Sequence, residues 1–167
     1  MKTIYLAGGC FWGVEKAFQS LNGVVETTVG YANGDVENPS YELVKTDTTN
    51  FRETVKVDYD PEKISLNKLL KAYFMCVDPT VRNQQGHDIG SQYQTGVYYV
   101  DDEDLAVIEK AFEEEKKKYD CFFVELKKLE NFYDAEEYHQ DYLIKNPAGY
   151  CHLTLDVYDR LKKLNEE

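Results

Sequence analysis

Short strand-like segments alternate with longer segments of helical period along this 167-residue chain, and that alternation limits the fold more than any other feature. Residues 4–7 form an apolar run that reads as a buried strand, and Gly8-Gly9 breaks it. Val14, Ala17, Phe18 and Leu21 then recur at helical spacing until Asn22-Gly23. Residues 25–31 read as a second strand, followed by a turn-rich loop from Asn33-Gly34-Asp35 to Asn38-Pro39. Residues 54–59 alternate, with Val55, Val57 and Tyr59 on one face, and Asp60-Pro61 stops them. Leu66, Leu69, Leu70, Tyr73 and Phe74 mark an amphipathic helix. A polar loop follows over 78–94, long enough without periodicity to suggest function. A strand is expected at 96–100, a helix through Leu105, Ile108 and Phe112, a strand through Phe122, Val124 and Leu126, and a short helix over 135–145. Strands interleaved with helices in one short chain predict an α+β (α/β) two-layer sandwich. One domain over 1–167 is expected, with 152–167 as a charged, helix-prone C-terminal tail.

Composition narrows the partners. A net charge of −12 repels phosphate backbones and anionic lipid, so nucleic acid and membrane surfaces are not expected. No run is long and apolar enough for a transmembrane helix, and the apolar stretch near Met1 is too short for a signal peptide, which points to the cytoplasm. The four cysteines, Cys10, Cys76, Cys121 and Cys151, include no CxxC pair, which argues against a zinc ribbon or a thioredoxin-type redox pair. They are too few for a secreted disulfide framework and fit a reducing compartment.

Cys10 falls where a strand turns into a helix. There, unpaired backbone N–H groups and the positive end of the helix dipole stabilise a thiolate, the nucleophilic form. Position alone leaves two readings open, a nucleophile or a buried core cysteine. Gly9-Cys10-Phe11-Trp12-Gly13, which holds the only tryptophan, resembles the active-site motif of the peptide methionine sulfoxide reductase A family. Further blocks resemble that family in order: Val29-Gly30-Tyr31 with Asn38-Pro39-Ser40-Tyr41-Glu42, Glu53-Thr54-Val55-Lys56-Val57 with Tyr59-Asp60-Pro61, Asp78-Pro79-Thr80 with Gln85-Gly86-His87-Asp88 and Gly90-Ser91-Gln92-Tyr93, and Tyr138-His139-Gln140-Asp141-Tyr142-Leu143 with Asn146-Pro147 and Gly149-Tyr150-Cys151.

The resemblance implies a plait-like, ferredoxin-like core with extended loops and a peptide-methionine (S)-S-oxide reductase activity on free or peptide-bound methionine sulfoxide. It implies Cys10 as nucleophile and Glu53 as the acid that protonates the sulfoxide oxygen, a task that requires a carboxyl pKa raised by burial. Tyr41 and Tyr93 would donate hydrogen bonds to that oxygen, Asp88 would order the polar network, and Phe11 and Trp12 would hold the substrate methyl group. Cys151 would resolve the Cys10 sulfenic acid as a disulfide, which thioredoxin would reduce. No metal or other cofactor is implied, and a monomer is expected. Cys76 and Cys121 are expected to be structural. Three departures from the family pattern stand out: Phe51 where histidine is common, His87 where asparagine is usual, and no cysteine after Cys151, so a single resolving step is expected. The rival readings are a cysteine hydrolase pairing Cys10 with His87, His139 or His152, and a non-enzymatic acidic interaction module in which Cys10 is inert.

Overall fold

The structure, a computed structural model, describes residues 1–167. Its elements are β1 (Lys2–Ala7), α1 (Phe11–Gln19), β2 (Val24–Ala32), α2 (Tyr41–Val44), β3 (Arg52–Tyr59), α3 (Leu66–Cys76), β4 (Gln84–Gln85), β5 (Asp88–Ile89), β6 (Gly96–Tyr99), α4 (Leu105–Lys116), β7 (Glu125–Lys128), β8 (Phe132–Asp134), α5 (Tyr142–Lys145) and α6 (Leu155–Asn165). Six strands form one sheet in the order β7-β6-β1-β3-β2-β8, and β4 and β5 pair separately. Within it β1, β2, β3 and β6 stand in the order β6-β1-β3-β2, all antiparallel, with α1 joining β1 to β2 and α3 joining β3 to β6. That is the β-α-β-β-α-β arrangement of a ferredoxin-like plait, as expected. β8 extends one edge, and β7 extends the other as the one parallel pairing.

The helices cover one face of the sheet. Val14, Ala17 and Phe18 of α1 and Leu69, Leu70 and Tyr73 of α3 pack with Val55, Val57 and Tyr59 of β3 in one apolar cluster. The inward series of β3 begins one step earlier than the strand expected from sequence, at Glu53, which shares that face. Leu6 pairs with Val55 and Tyr31 with Glu53, so the end of β1, the end of β2 and the start of β3 meet at one edge of the core.

Three segments differ from the sequence reading. The helix expected over 135–145 is broken. The Gln140 side chain accepts from the backbone N–H of Val29 and donates to its carbonyl, taking the place of a strand partner. Asp141 adopts a left-handed conformation (φ 53°), and only α5 is helical beyond it. The strand expected through Phe122 starts at Glu125, because Phe123 donates its N–H to Pro79 O in the preceding loop. Cys121 lies exposed outside the core, so it has no structural burial role, whereas Cys76 is buried at the end of α3. The charged tail folds as α6 and inserts Leu161 and Leu164 into the main core.

Candidate active site

Cys10 occupies the position just before the first turn of α1, as the sequence indicates. The turn that presents it needs Gly9, which holds φ +89°, and a Cβ there would stand 2.6 Å from Gln85 Cβ. Gln85 is buried and ties this turn to the 78–94 loop, accepting from Asp78 N–H and donating to Asp78 O.

A cavity of about 210 Å³ opens over this turn, lined by Cys10, Phe11, Trp12, Tyr41, Glu53, Asp88, Tyr93 and Tyr150. Seven of these are residues to which the family resemblance gives the roles of nucleophile, acid, donors, ordering carboxylate and methyl slot. Chain positions from 10 to 93 thus converge on one concave site, with Tyr150 added from the segment before Cys151.

Glu53 is 2% exposed and accepts a hydrogen bond from Phe11 N–H at 3.2 Å. Burial pushes its carboxyl up to about 8, and the negative field of Asp88 adds to this against the opposing Phe11 N–H. Near neutral pH it therefore carries a proton. Cys10 is also buried, and its thiol is pushed well above the ordinary range by burial first and, once Glu53 ionises, by that charge second. The Trp12 N–H opposes this at the helix start but does not prevail. The local expectation of a stabilised thiolate is thus corrected, since loss of water outweighs the helix terminus. The free site holds a thiol beside a carboxylic acid.

The surrounding phenols are held as donors. Burial pushes Tyr41 up to about 12 and Tyr93 higher still. Glu136 places Tyr41, accepting from its backbone N–H at 3.0 Å and from the Tyr31 hydroxyl at 2.9 Å. Asp88 accepts from the Tyr150 hydroxyl at 2.9 Å.

The apolar wall has its own support. The Trp12 ring stacks on Tyr142 at 3.7 Å between centroids, and its indole N–H donates to His139 Nδ1 at 3.0 Å. His139 is buried against Phe11 and Tyr41, and burial lowers its pKa, so it stays neutral with its proton on Nε2. Below Trp12, buried Glu15 accepts from Thr27 Oγ1 and from Asp141 N–H, fixing the turn that leads to Tyr142. Tyr150, His139, Tyr142, Glu136 and Glu15 carry no role in the reductase reading of the sequence, where His139 entered only as a hydrolase partner for Cys10. The first three lie inside the blocks quoted for the resemblance, which is the one signal that could have found them.

Cys151 is half-buried, with Sγ 3.2 Å from the Tyr158 hydroxyl. It packs on Gly13, where a Cβ would come within 3.1 Å of the sulfur, one helical turn from Cys10. None of the imidazoles bonds Cys10. His139 serves Trp12, His152 Nε2 bonds Gly8 O, and His87 is exposed. The hydrolase pairing therefore has no geometric basis. Phe51 is buried, with its ring edge-on to Tyr133.

Residues 2–166 match the family model described as peptide methionine sulfoxide reductase. The chain is similar to the peptide methionine sulfoxide reductase MsrA of Clostridium acetobutylicum, 56% identical over 158 residues, which cover 94% of this chain and 98% of that protein. The fold is similar to Mxr1 of Saccharomyces cerevisiae in reduced form, with a TM-score of 0.86, 42% identity, and 90% and 88% of the two chains covered. Mxr1 in complex with Trx2 is also similar, with a TM-score of 0.61, 31% identity and 84% of each chain covered.

Proposed function

The chain belongs to the peptide methionine sulfoxide reductase A family and reduces methionine sulfoxide by thiol chemistry, and we propose that Cys10 is the nucleophile of that reduction. The convergence of Cys10 and a buried, protonated Glu53 on one aromatic-lined cavity carries this reading.

A sulfoxide oxygen departs readily only when protonated, and Glu53 holds a proton at neutral pH beside Cys10. Phe11 and Trp12 receive the methyl group, which leaves the oxygen facing Tyr41, Tyr93 and Glu53. Asp88, which accepts from the Tyr150 hydroxyl, lines the same cavity and is assigned the ordering of that polar network. The Cys10 sulfur attacks the sulfoxide sulfur while Glu53 protonates the oxygen. The thiol proton returns to the carboxylate, oxygen moves to Cys10, and methionine leaves. One thiol and one sulfoxide thereby become one sulfenic acid and one thioether. The buried thiol makes Cys10 a poor nucleophile until a substrate oxygen draws the Glu53 proton away from it.

Cys151 then condenses with the Cys10 sulfenic acid and releases water, and thioredoxin reduces the disulfide, a role that fits the Mxr1 complex with Trx2. The substrate is the S epimer, free or in oxidised proteins, so the activity repairs proteins after oxidative stress. One domain over 1–167 performs this as a monomer in the cytoplasm, a compartment whose reducing poise suits four unpaired cysteines.

The test is one turnover of reduced enzyme with methionine S-sulfoxide, read by intact mass and peptide mapping. Wild type is expected to yield methionine and a Cys10–Cys151 disulfide, and Cys151→Ser to stop at Cys10 sulfenic acid. Methionine absent and Cys10 still reduced would sink the reading. Methionine with a Cys10–Cys76 or Cys10–Cys121 disulfide would overturn the resolving assignment alone.

A further inference from the structure

We infer that Tyr158 is a catalytic residue of the resolving step, its phenol donating a hydrogen bond to the Cys151 sulfur as that sulfur attacks the Cys10 sulfenic acid. The inference rests on the Cys10 and Cys151 assignments above and adds to them the residue that prepares the second thiol.

The hydroxyl lies 3.2 Å from Cys151 Sγ. Tyr158 sits in the second half of α6's first turn and a half, and that helix is rigidly held. Leu161 and Leu164 insert into the core, and the Asn165 side chain bridges Asn22 N–H and Ser20 O at the end of α1. Lys16 Nζ stands over the ring at 5.1 Å, fixing it from the α1 side. Burial holds the phenol protonated far above neutral pH, so it remains a donor throughout turnover. A donor aimed at sulfur favours thiolate over thiol, and thiolate is the attacking form.

The loop around Cys151 is held against α1 and the turn that presents Cys10. Gly13 leaves room for the sulfur against α1, and His152 donates its Nε2–H to Gly8 O, which pins the loop to the turn that presents Cys10. With Nε2 so engaged, His152 Nδ1 keeps a free lone pair. It is buried, has no partner, and borders the same point beside Gly13 as the Cys151 sulfur. In the step, the Cys151 S–H bond and the Cys10 S–O bond break, and the S–S bond and a new O–H bond form. The thiol proton goes to the departing oxygen, which leaves as water. Cys151 is oxidised and the Cys10 sulfenate is reduced to the disulfide level.

Rapid-quench single turnover of Tyr158→Phe with methionine S-sulfoxide, with dimedone trapping and peptide mapping, separates the two steps. One equivalent of methionine is expected, with the Cys10–Cys151 disulfide forming on the order of 10- to 100-fold slower than in wild type, the effect of a lost hydrogen bond to a charged sulfur. The pH midpoint of disulfide formation is expected to move upward. In a Cys10→Ser background, alkylation of Cys151 by iodoacetamide at neutral pH is expected to slow in the Tyr158→Phe variant, which tests the donor independently of turnover. A disulfide rate equal to wild type, or a slower rate with the pH profile and the alkylation rate both unmoved, overturns the inference and leaves Tyr158 a packing residue. Absence of methionine would overturn the Cys10 reading itself.

Discussion

Replacing Glu53 with glutamine tests the buried-acid reading through stability as well as activity. The folded carboxyl titrates at about 8 against an ordinary 4.5, chiefly because burial penalises its charge. A raised acid contributes full stability below 4.5, and that contribution declines as pH rises toward 8, because the unfolded chain ionises while the folded chain cannot. At about 1.4 kcal/mol per pH unit between those values, the loss relative to an uncharged side chain is about 1 kcal/mol at pH 5, about 3 at pH 7 and about 5 at pH 9. Glutamine has nearly the same shape and no charge to lose. The difference in unfolding free energy, Glu53→Gln minus wild type, should therefore grow by about 4 kcal/mol from pH 5 to pH 9. Urea melts of both proteins at pH 5, 7 and 9 measure it directly. Glu15, also buried and pushed up to about 7, is present in both proteins and cancels in the difference. Sulfoxide reduction should fall by about 100- to 10,000-fold in the variant, the usual worth of a general acid. Wild-type activity should itself decline as pH rises through 8. Two stability curves running parallel across that range would refute the claim that Glu53 is held as a buried acid. Parallel curves together with lost activity would leave it a donor of some other kind.

The tryptophan is unique, so its emission reports the Trp12–His139 contact. Protonating Nδ1 removes the acceptor, and since burial lowers the His139 pKa, an emission change is expected on acidification with a midpoint below 6.5 that His139→Phe abolishes. A midpoint above 6.5 would contradict the burial argument. Gly9→Ala forces a side chain to φ +89° against Gln85, and should cost about 2–4 kcal/mol in urea melts while also displacing Cys10 and lowering the rate of methionine formation. Leu161→Ala should cost about 2–5 kcal/mol, because α6 is part of the core; a loss under 1 kcal/mol by the same melts would show a merely appended tail.

The two-layer α/β sandwich was legible because strand-like runs and segments of helical period alternate along the chain, while its plait-like form came from the family resemblance. Glu53 was legible from resemblance, and it also continues the Val55, Val57, Tyr59 face by one step, a carboxyl placed on an apolar series. The residues that escaped act across the chain. Glu15 bonds a backbone N–H 126 positions away, the indole of Trp12 bonds His139 127 positions away, and Gln140 replaces a strand partner for Val29 at a separation of 111. No local pattern records such partners. The break in the expected 135–145 helix has the same origin, since side-chain bonds to β2 and α1 outweigh helical propensity there.

Cys10 shows why local and tertiary readings can differ in sign. Its position at the start of α1 was read correctly, and the helix terminus there favours a thiolate. The fold then closes Phe11, Trp12 and Glu53 over the sulfur, removing the water that a thiolate needs, and the thiol is retained instead. The same closure keeps Glu53 protonated. An exposed thiolate would react with any passing oxidant or electrophile. With Cys10 as the proposed nucleophile, a buried thiol beside a buried acid has little reactivity until a sulfoxide oxygen offers the proton a destination, so the burial that opposes the helix terminus also ties the activation of that thiol to its substrate.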